Sequence, residues 1–89
     1  MPRVKIPPPY RGPTRGKAVI EVAGESVRAC VEAVEVEYPG IAELVFDPSG
    51  GVQPFVTLFI NGDEIARNEA EASVGSDDEV EILAAIAGG

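Results

Sequence analysis

Phe55-Val-Thr-Leu-Phe-Ile60 is the most apolar stretch of the chain, and Asn61-Gly62 follows it directly. A short, mainly apolar run of this kind is typical of a strand inside a sheet. Asn-Gly is the strongest short hairpin signal, because both residues tolerate the positive φ angles of a type I′ turn. We therefore predict that residues 55–60 form a central strand and that residues 63–66 return antiparallel beside it.

Three other segments alternate apolar and polar residues, which is the pattern of a strand with one buried face. They are Val4-Lys-Ile6, Lys17-Ala-Val-Ile-Glu-Val22 and Glu79-Val-Glu-Ile-Leu83. The prolines at positions 7–9 end the first segment, because proline cannot donate to a sheet ladder. We expect the first two segments to form an N-terminal hairpin.

One main helix is predicted between this hairpin and the apolar strand. Ser26 is a suitable N-cap, and Pro39-Gly40 ends the helix. Val36 points outwards in the predicted register, and residues 41–46 are expected to form a short second helical turn. The apolar face of the helix is lined by Val27, Val31, Val34 and Tyr38, with Cys30 at its edge.

The order strand, strand, helix, strand, strand, strand restricts the architecture. One helix cannot cover both faces of a sheet, so it packs across one face and leaves the other open. The last strand can join the N-terminal hairpin if it lies parallel to the first strand, which is the β-grasp arrangement of ubiquitin. The predicted fold class is therefore α+β, with a mixed sheet of four to five strands. Residues 1–83 form the domain, and residues 84–89 form a flexible C-terminal tail.

The composition excludes several kinds of protein. A chain of 89 residues is long enough for one domain. One cysteine and no histidine cannot make an internal disulfide or a zinc ligand set. A net charge of −8 repels phosphate backbones, which excludes nucleic acid as a partner. The chain has no apolar run of about 18 residues and no signal peptide, so we expect no membrane association and a cytoplasmic location.

The charge is distributed unevenly along the chain. The first acidic residue is Glu21, and the chain from there on is strongly acidic. This acidic part either serves solubility alone or steers the domain towards a basic partner surface. Five cations precede Glu21: Arg3, Lys5, Arg11, Arg15 and Lys17.

Six short segments carry a resemblance to a known family. They are Val4-Lys-Ile-Pro7, Arg11-Gly-Pro-Thr-Arg-Gly16, Tyr38-Pro-Gly-Ile41, Phe59-Ile-Asn-Gly62, Asp78-Glu-Val-Glu-Ile82 and Ala87-Gly-Gly89. In this order they resemble the bacterial sulfur-carrier branch of the ubiquitin-like superfamily. That branch includes the molybdopterin synthase small subunit, the thiamine-biosynthesis carrier and the cysteine-biosynthesis carrier, and the last of these is the most similar. Where the family usually has Asp-Gly-Asp before the last strand, this chain has Ser76-Asp77-Asp78, and Gly75 is expected to supply the turn.

The resemblance implies a sulfur carrier that is a co-substrate of partner enzymes and not an enzyme itself. In this family a ubiquitin-activating-like enzyme uses ATP and Mg²⁺ to adenylate the terminal carboxyl group, here that of Gly89, and sulfur transfer gives a thiocarboxylate. The sulfur-accepting enzyme would be cysteine synthase-like or molybdopterin synthase large subunit-like. A metalloprotease or a sulfurtransferase is a further candidate partner. The resemblance also implies a monomer when free, with no cofactor or metal of its own.

The last six residues suit this chemistry. Gly88 and Gly89 carry no Cβ, so they can pass a narrow enzyme channel and leave the terminal carbonyl unhindered. Six extended residues reach about 20 Å. Ala87 is small enough for the same channel, and Ile86 would be an apolar anchor within it. The alternative is a frayed terminus without a function.

Side chains alternate between the two faces along the predicted strands 55–60 and 79–83. One face of the sheet is therefore covered by the helix, and the other face is open. Phe59 and Leu83 would form an apolar patch that binds a partner, with Glu81 beside them. In the alternative, a loop over residues 45–54 folds over Phe59 and buries it. The residues expected on the open face are Thr57, Phe59, Glu81 and Leu83, and those expected to pack on the helix are Val56, Leu58, Ile60, Val80 and Ile82.

Three other functions are compatible with the same residues. The chain could be a protein modifier joined through Gly89 to lysines, a small subunit whose tail inserts permanently into a catalytic partner, or a plain binding module. An amide-linked adduct would identify the modifier, and co-purification with a larger subunit would identify the small subunit. A function that is unchanged by loss of the two terminal glycines would identify the binding module. Cys30 could carry a persulfide, but its place on the helix favours a core residue. The final sulfur acceptor stays open.

Overall fold

The computed structural model describes residues 1–85 of the 89-residue chain, so the predicted site residues Ile86, Ala87, Gly88 and Gly89 lie outside the described residues. The described part contains a main helix α1 (Val27–Glu37), a short helix α2 (Ala42–Val45) and a 3₁₀ turn (Pro8–Tyr10). Its strands are β1 (Arg3–Lys5), β2 (Val19–Glu21), β3 (Val56–Ile60), β4 (Asp63–Glu64) and β5 (Glu79–Ala84).

The strands form one mixed sheet in the order β2-β1-β5-β3-β4. β5 lies in the middle, parallel to β1 on one side and antiparallel to β3 on the other. β1 pairs antiparallel with β2, and β3 pairs antiparallel with β4. The predicted parallel pairing of the last strand with the first is confirmed. β3 is an inner strand as predicted, but the middle position belongs to β5.

The predicted hairpin after β3 forms, although its second strand is short. Asn61 and Gly62 have φ angles of 51° and 86°, the positive values expected at both positions of a type I′ turn. β4 covers two residues where four were predicted. The pairing stops after Ile65, whose N–H donates to Leu58 at 3.0 Å, because the next N–H donates to the carboxylate of Glu69 instead.

β2 and β5 also differ from their predicted bounds. β2 is shorter because Lys17 is held in the preceding turn. Its N–H donates to the carbonyl of Thr14 at 3.1 Å, and its own carbonyl accepts from the Thr14 hydroxyl at 2.9 Å. β5 runs one residue beyond Leu83, since Ala84 pairs with Val56 on β3.

The helix α1 forms in the predicted register. Ser26 caps it, because its Oγ accepts from the N–H of Ala29 at 3.0 Å. Val36 is 84% exposed, as expected for a side chain that points away from the sheet. The helix ends before Pro39-Gly40. Its buried residues are Val27, Cys30, Val31 and Val34.

The core lies between α1 and one face of the sheet. The loop before β3 packs on the same side, because Val52 is buried in this core. The guanidinium group of Arg67 holds the loop by donating to the carbonyls of Val52 and Gln53. The loop therefore lies on the helix side and not over Phe59. Strand residues in the core are Val4, Ile20, Val56, Leu58, Val80 and Ile82.

Candidate functional site at the end of β5

β5 is the middle strand of the sheet, and the predicted tail begins where this strand ends. Ala84 is paired with Val56, and the N–H of Ala85 donates to the carbonyl of Phe55 at 2.9 Å. The first two residues of the predicted tail are therefore held on β3. Four residues follow, and they can reach about 14 Å when extended.

The open face carries the residues predicted for partner binding. Cross-strand pairing places Thr57 opposite Leu83 and Phe59 opposite Glu81, so all four side chains share one face. Leu83 is 49% exposed, whereas Phe59 is partly buried. The structure thus brings Phe59, Glu81 and Leu83 together. Their predicted role in binding a partner stays a prediction.

One exposed aromatic residue at this place was missed by the sequence analysis. Phe55 precedes β3 and is 44% exposed. It lies beside the tail, since its carbonyl accepts from Ala85. The sequence analysis included Phe55 in the predicted strand as its first residue. Its position as an apolar residue at the end of a strand is the only signal that could have indicated an exposed side chain. We call Phe55 and Leu83 together the tail-base patch.

Charged side chains surround the apolar residues of the open face. Register places Phe59 between Glu81 on β5 and Glu64 on β4. The cations Arg3 and Lys5 lie on β1, beyond Glu81. Arg3 Nε is 3.7 Å from a carboxylate oxygen of Glu79, and such an exposed pair contributes little to stability. The aromatic ring is therefore flanked by negative charge, with positive charge one strand further away.

The turn before β5 is built around Asp78 and replaces the usual family motif. One carboxylate oxygen of Asp78 accepts from the N–H of Gly75 at 2.8 Å, and the other accepts from the Asn61 side chain at 2.9 Å. The Asn61 side-chain oxygen in turn accepts from the N–H of Glu79. Gly75 lies at the start of the turn, as expected, and its carbonyl accepts from the N–H of Asp78 at 3.1 Å. Asp78 is thus a structural residue that joins the β3–β4 hairpin to the start of β5.

These hydrogen bonds lower the pKa of Asp78, first through Gly75 and then through Asn61. A lowered pKa in the folded state stabilises the protein above the unfolded pKa of about 3.9, and this contribution is lost as the pH falls through the folded value. Asp78→Asn is expected to lower the melting temperature at neutral pH, because it replaces one of two accepting oxygens with a donor. The difference from the wild-type chain should shrink when melting is measured down to a pH of about 2. A difference that stays constant with pH would contradict this role.

The Arg-x-x-Thr-x-Gly motif builds the connection from β1 to β2. Thr14 is fully buried, and its hydroxyl donates to the carbonyl of Lys17 at 2.9 Å. Arg11 donates to the carbonyl of Ile6 at 3.1 Å. Arg15 and Gly16 have positive φ angles of 57° and 83°. This family motif therefore fixes a turn and supplies no reactive group.

Cys30 is a core residue. Its side chain is fully buried, and burial raises the pKa of the thiol, which disfavours the reactive thiolate. A Cβ added at Gly24 would lie 3.0 Å from its sulfur, so the helix packs tightly here. Within residues 1–85, no three His, Cys, Asp or Glu side chains are gathered closely enough to hold a metal ion. None of the helices in this part has the length and apolar character needed to cross a membrane.

Comparison with known proteins decides the family. The model of the ThiS family matches residues 9–89. The chain belongs to the ThiS family. This ThiS-family chain is 34% identical to the sulfur carrier protein CysO of Mycobacterium tuberculosis and of Mycobacterium bovis, over 97% of this chain and 96% of each relative.

Solved structures agree with this membership in the ThiS family. The crystal structure of CysO from M. tuberculosis matches with a TM-score of 0.88 and 28% identity, over 97% of this chain and 100% of that one. A chain of the Amycolatopsis orientalis BexX/CysO complex matches with a TM-score of 0.86 and 32% identity, over 100% of both chains. SAMP1 from Methanosarcina acetivorans shares the fold, with a TM-score of 0.83 at 22% identity and coverage of 99% and 95%. The predictions of a β-grasp fold and of a ubiquitin-like sulfur carrier that is not itself an enzyme are confirmed.

Proposed function

We propose that this ThiS-family protein carries sulfur as a thiocarboxylate on the carboxyl group of Gly89. The observation that carries the proposal is the course of β5. It is bonded on both sides in the middle of the sheet, and its end holds residue 85 next to an exposed apolar patch. Only three residues separate this fixed point from Gly89. A partner that binds the tail-base patch would thus find the carboxyl group within a short, defined reach.

The chemistry needs an activating partner, because a carboxylate is a poor electrophile. A ubiquitin-activating-like enzyme would supply ATP and Mg²⁺. The Gly89 carboxylate attacks the α-phosphorus of ATP, pyrophosphate leaves, and an acyl-adenylate forms. Sulfide supplied as HS⁻ then attacks the acyl carbon, AMP leaves with the bonding electrons, and the thiocarboxylate remains. The chain itself contributes position and an unhindered carbonyl, since Gly88 and Gly89 carry no side chain.

A second enzyme would accept the sulfur. The likeness to sulfur carriers named CysO supports a cysteine synthase-like acceptor, and a molybdopterin synthase large subunit-like acceptor is the second candidate. A similar chain from A. orientalis is found in a complex with BexX, which supports binding of this chain to a partner protein. A metalloprotease or a sulfurtransferase would be a further partner in this sulfur transfer. These reactions belong in the cytoplasm.

The intact mass of the protein isolated from its own host tests the proposal. A species heavier by the replacement of one oxygen by one sulfur, located in the C-terminal peptide, is the expected result. If only the carboxylate is found, even after incubation with the host's adenylating enzyme, ATP, Mg²⁺ and a sulfur source, the proposal fails. An amide-linked adduct through Gly89 would instead identify a protein modifier.

Leu83→Asp tests the role of the tail-base patch. An apolar contact at the centre of an interface contributes about 2 kcal/mol or more, so kcat/KM for adenylation of the variant should fall about thirtyfold. Its melting temperature should stay near that of the wild-type chain, because Leu83 is 49% exposed. The matched control is Val36→Asp, which introduces the same charge at an exposed apolar residue of α1. Equal rates for both variants would show that the activating enzyme docks elsewhere.

A further inference from the structure

A single side chain, that of Arg67, donates to four of the five backbone carbonyls in residues 52–56. This segment leads into β3 and contains Phe55, one of the two residues of the tail-base patch. The proposed carrier function has so far given the guanidinium group no role. Its four acceptors are the carbonyls of Val52 and Gln53, bonded by Nη2, and those of Pro54 and Val56, each 3.4 Å from Nη1.

The fifth carbonyl of the segment, that of Phe55, is left for the tail. It accepts from the N–H of Ala85 at 2.9 Å. Within residues 1–85 this is the last hydrogen bond between β5 and the strand beside it, one position beyond the pair of Val56 and Ala84. The bond therefore determines whether the tail leaves the sheet at residue 85 or earlier.

Side-chain packing does not fix this carbonyl. The side chains of Pro54 and Phe55 are both exposed, and a cleft of about 110 Å³ lies between the segment and the residues that follow β4. One backbone bond closes the turn around them, from the N–H of Val56 to the carbonyl of Gln53 at 3.0 Å. Segments with few buried apolar contacts and exposed backbone bonds open locally at low cost. The four bonds from Arg67 are therefore the main restraint on the Phe55 carbonyl.

Arg67 reaches the segment because β4 ends early. The N–H of Ala66 donates to the carboxylate of Glu69, and the N–H of Glu69 donates to the carbonyl of Ala66 at 2.9 Å, so Arg67 lies inside a closed turn. A guanidinium group is planar and has five N–H donors in fixed directions, whereas the ammonium group of lysine acts as a point charge. Among residues 1–85 no carboxylate forms an ion pair with Arg67, and its donors serve the carbonyls instead.

We propose that Arg67 is a positioning residue for the reactive tail. By holding residues 52–56, it keeps the Phe55 carbonyl where the N–H of Ala85 binds it, and so fixes the residue at which the tail leaves the sheet. This inference rests on the proposed function, in which the carboxyl group of Gly89 enters an activating enzyme. A tail that is released earlier loses more conformational freedom on entry, so fewer encounters place its carboxylate correctly.

Amide hydrogen exchange of the free full chain, followed by NMR well below the melting temperature, tests the restraint. Arg67→Met removes the guanidinium group and keeps an apolar side chain. Exchange at Ala85 should become at least about tenfold faster, whereas exchange at Leu83, which pairs with Thr57, should change less than about twofold. Arg67→Lys keeps the charge but cannot span four carbonyls, so its exchange rate at Ala85 should lie between those of the wild type and Arg67→Met. A lysine variant that matches the wild type would show that charge alone suffices and would overturn the role of the planar donor group.

The matched control is Arg28→Met, which removes the same charge from the same loop. Arg28 donates to the carbonyl of Gly50 at 2.7 Å, further from Phe55 along the chain. Melting temperatures should fall for both variants, but only Arg67→Met should speed exchange at Ala85. Equal acceleration in both variants overturns the proposal, because Ala85 would then follow the general loss of stability. So does a wild-type chain whose Ala85 amide exchanges as fast as that of an unfolded peptide.

Adenylation kinetics connect this restraint to the carrier function. For Arg67→Met, kcat should fall about tenfold while KM changes less than about threefold, because Leu83 on β5 keeps its place. Arg28→Met should keep the wild-type kcat, and an unchanged kcat in Arg67→Met overturns the proposal. A wild-type chain that is never adenylated refutes the carrier function instead. The exchange rates at Ala85 need no enzyme, so the two failures are distinguishable.

Discussion

A chain that lacks Gly89 is expected to be adenylated at least about a hundredfold more slowly than the full chain. Removing one residue draws the carboxyl group back by about 3.5 Å along an extended tail. Because β5 fixes residue 85 on the sheet, the tail cannot compensate by sliding forward. A displacement of about 1 Å can already cost two orders of magnitude in rate, so the loss should be near complete.

The matched control for this deletion is Gly89→Ala, which keeps the position of the carboxyl group and adds one methyl group. Its rate should lie between those of the wild type and the deletion. Intact mass after incubation with the adenylating enzyme, ATP, Mg²⁺ and a sulfur source gives the fraction converted. Melting temperatures should be equal for all three chains, since residue 89 follows the last strand by five positions. Conversion of the shortened chain at the wild-type rate would mean that the enzyme does not select this terminus by its reach.

Ile82→Ala is expected to cost about 2–5 kcal/mol of the free energy of unfolding. Ile82 is 1% exposed and lies on β5, the strand that holds the two halves of the sheet together. Truncation removes apolar contacts and leaves a cavity that the flanking strands cannot close. Domains of this size have a total stability of about 5–15 kcal/mol, so a large share would be lost.

Urea denaturation measures this effect, and the neighbouring residue provides the control. Leu83→Ala truncates an exposed side chain of the same strand and should change stability by no more than about 0.5 kcal/mol. If both variants lose the same amount, the assignment of Ile82 to the core and of Leu83 to the open face is wrong. The pair therefore tests the alternation on which the tail-base patch depends.

Much of the fold could be predicted because its signals are local. Asn61-Gly62 specifies a turn through backbone angles that few other residues accept, and Ser26 specifies the start of α1 through one side-chain hydrogen bond. Alternation along β3 and β5 assigns side chains to the two faces without knowledge of the partner strand. The parallel pairing of β5 with β1 followed from the element order.

Other features depend on contacts between segments that are distant in sequence. The ends of β2 and β4 are set by Thr14 and Glu69, whose side chains compete with the sheet for backbone groups. The sequence places Asp78 just before the last strand, but only its two bonds to Gly75 and Asn61 show its structural role. Each of these roles needs the position of a second segment, which periodicity does not contain.

The candidate site was only partly accessible to the same reasoning. Alternation along two paired strands places three side chains on the same face of the sheet, which is why the sequence analysis found Phe59, Glu81 and Leu83. Phe55 was missed because the sequence analysis took it as the first residue of the apolar strand, whereas β3 begins at Val56 and the side chain of Phe55 is exposed.

The central position of β5 also has a consequence for biosynthesis on the ribosome. Before residues 79–84 emerge, the sheet consists of two separate hairpins, β1–β2 and β3–β4, with α1 between them along the chain. Isolated two-stranded hairpins are marginally stable in water, and both hairpins still lack their pairing with β5. The strand that joins them is the last to be translated, and its pairing with β1 spans nearly the whole chain. The joined sheet therefore forms only after residues 79–84 are available, and a chain interrupted before residue 79 never presents a joined sheet to the enzymes that would charge it.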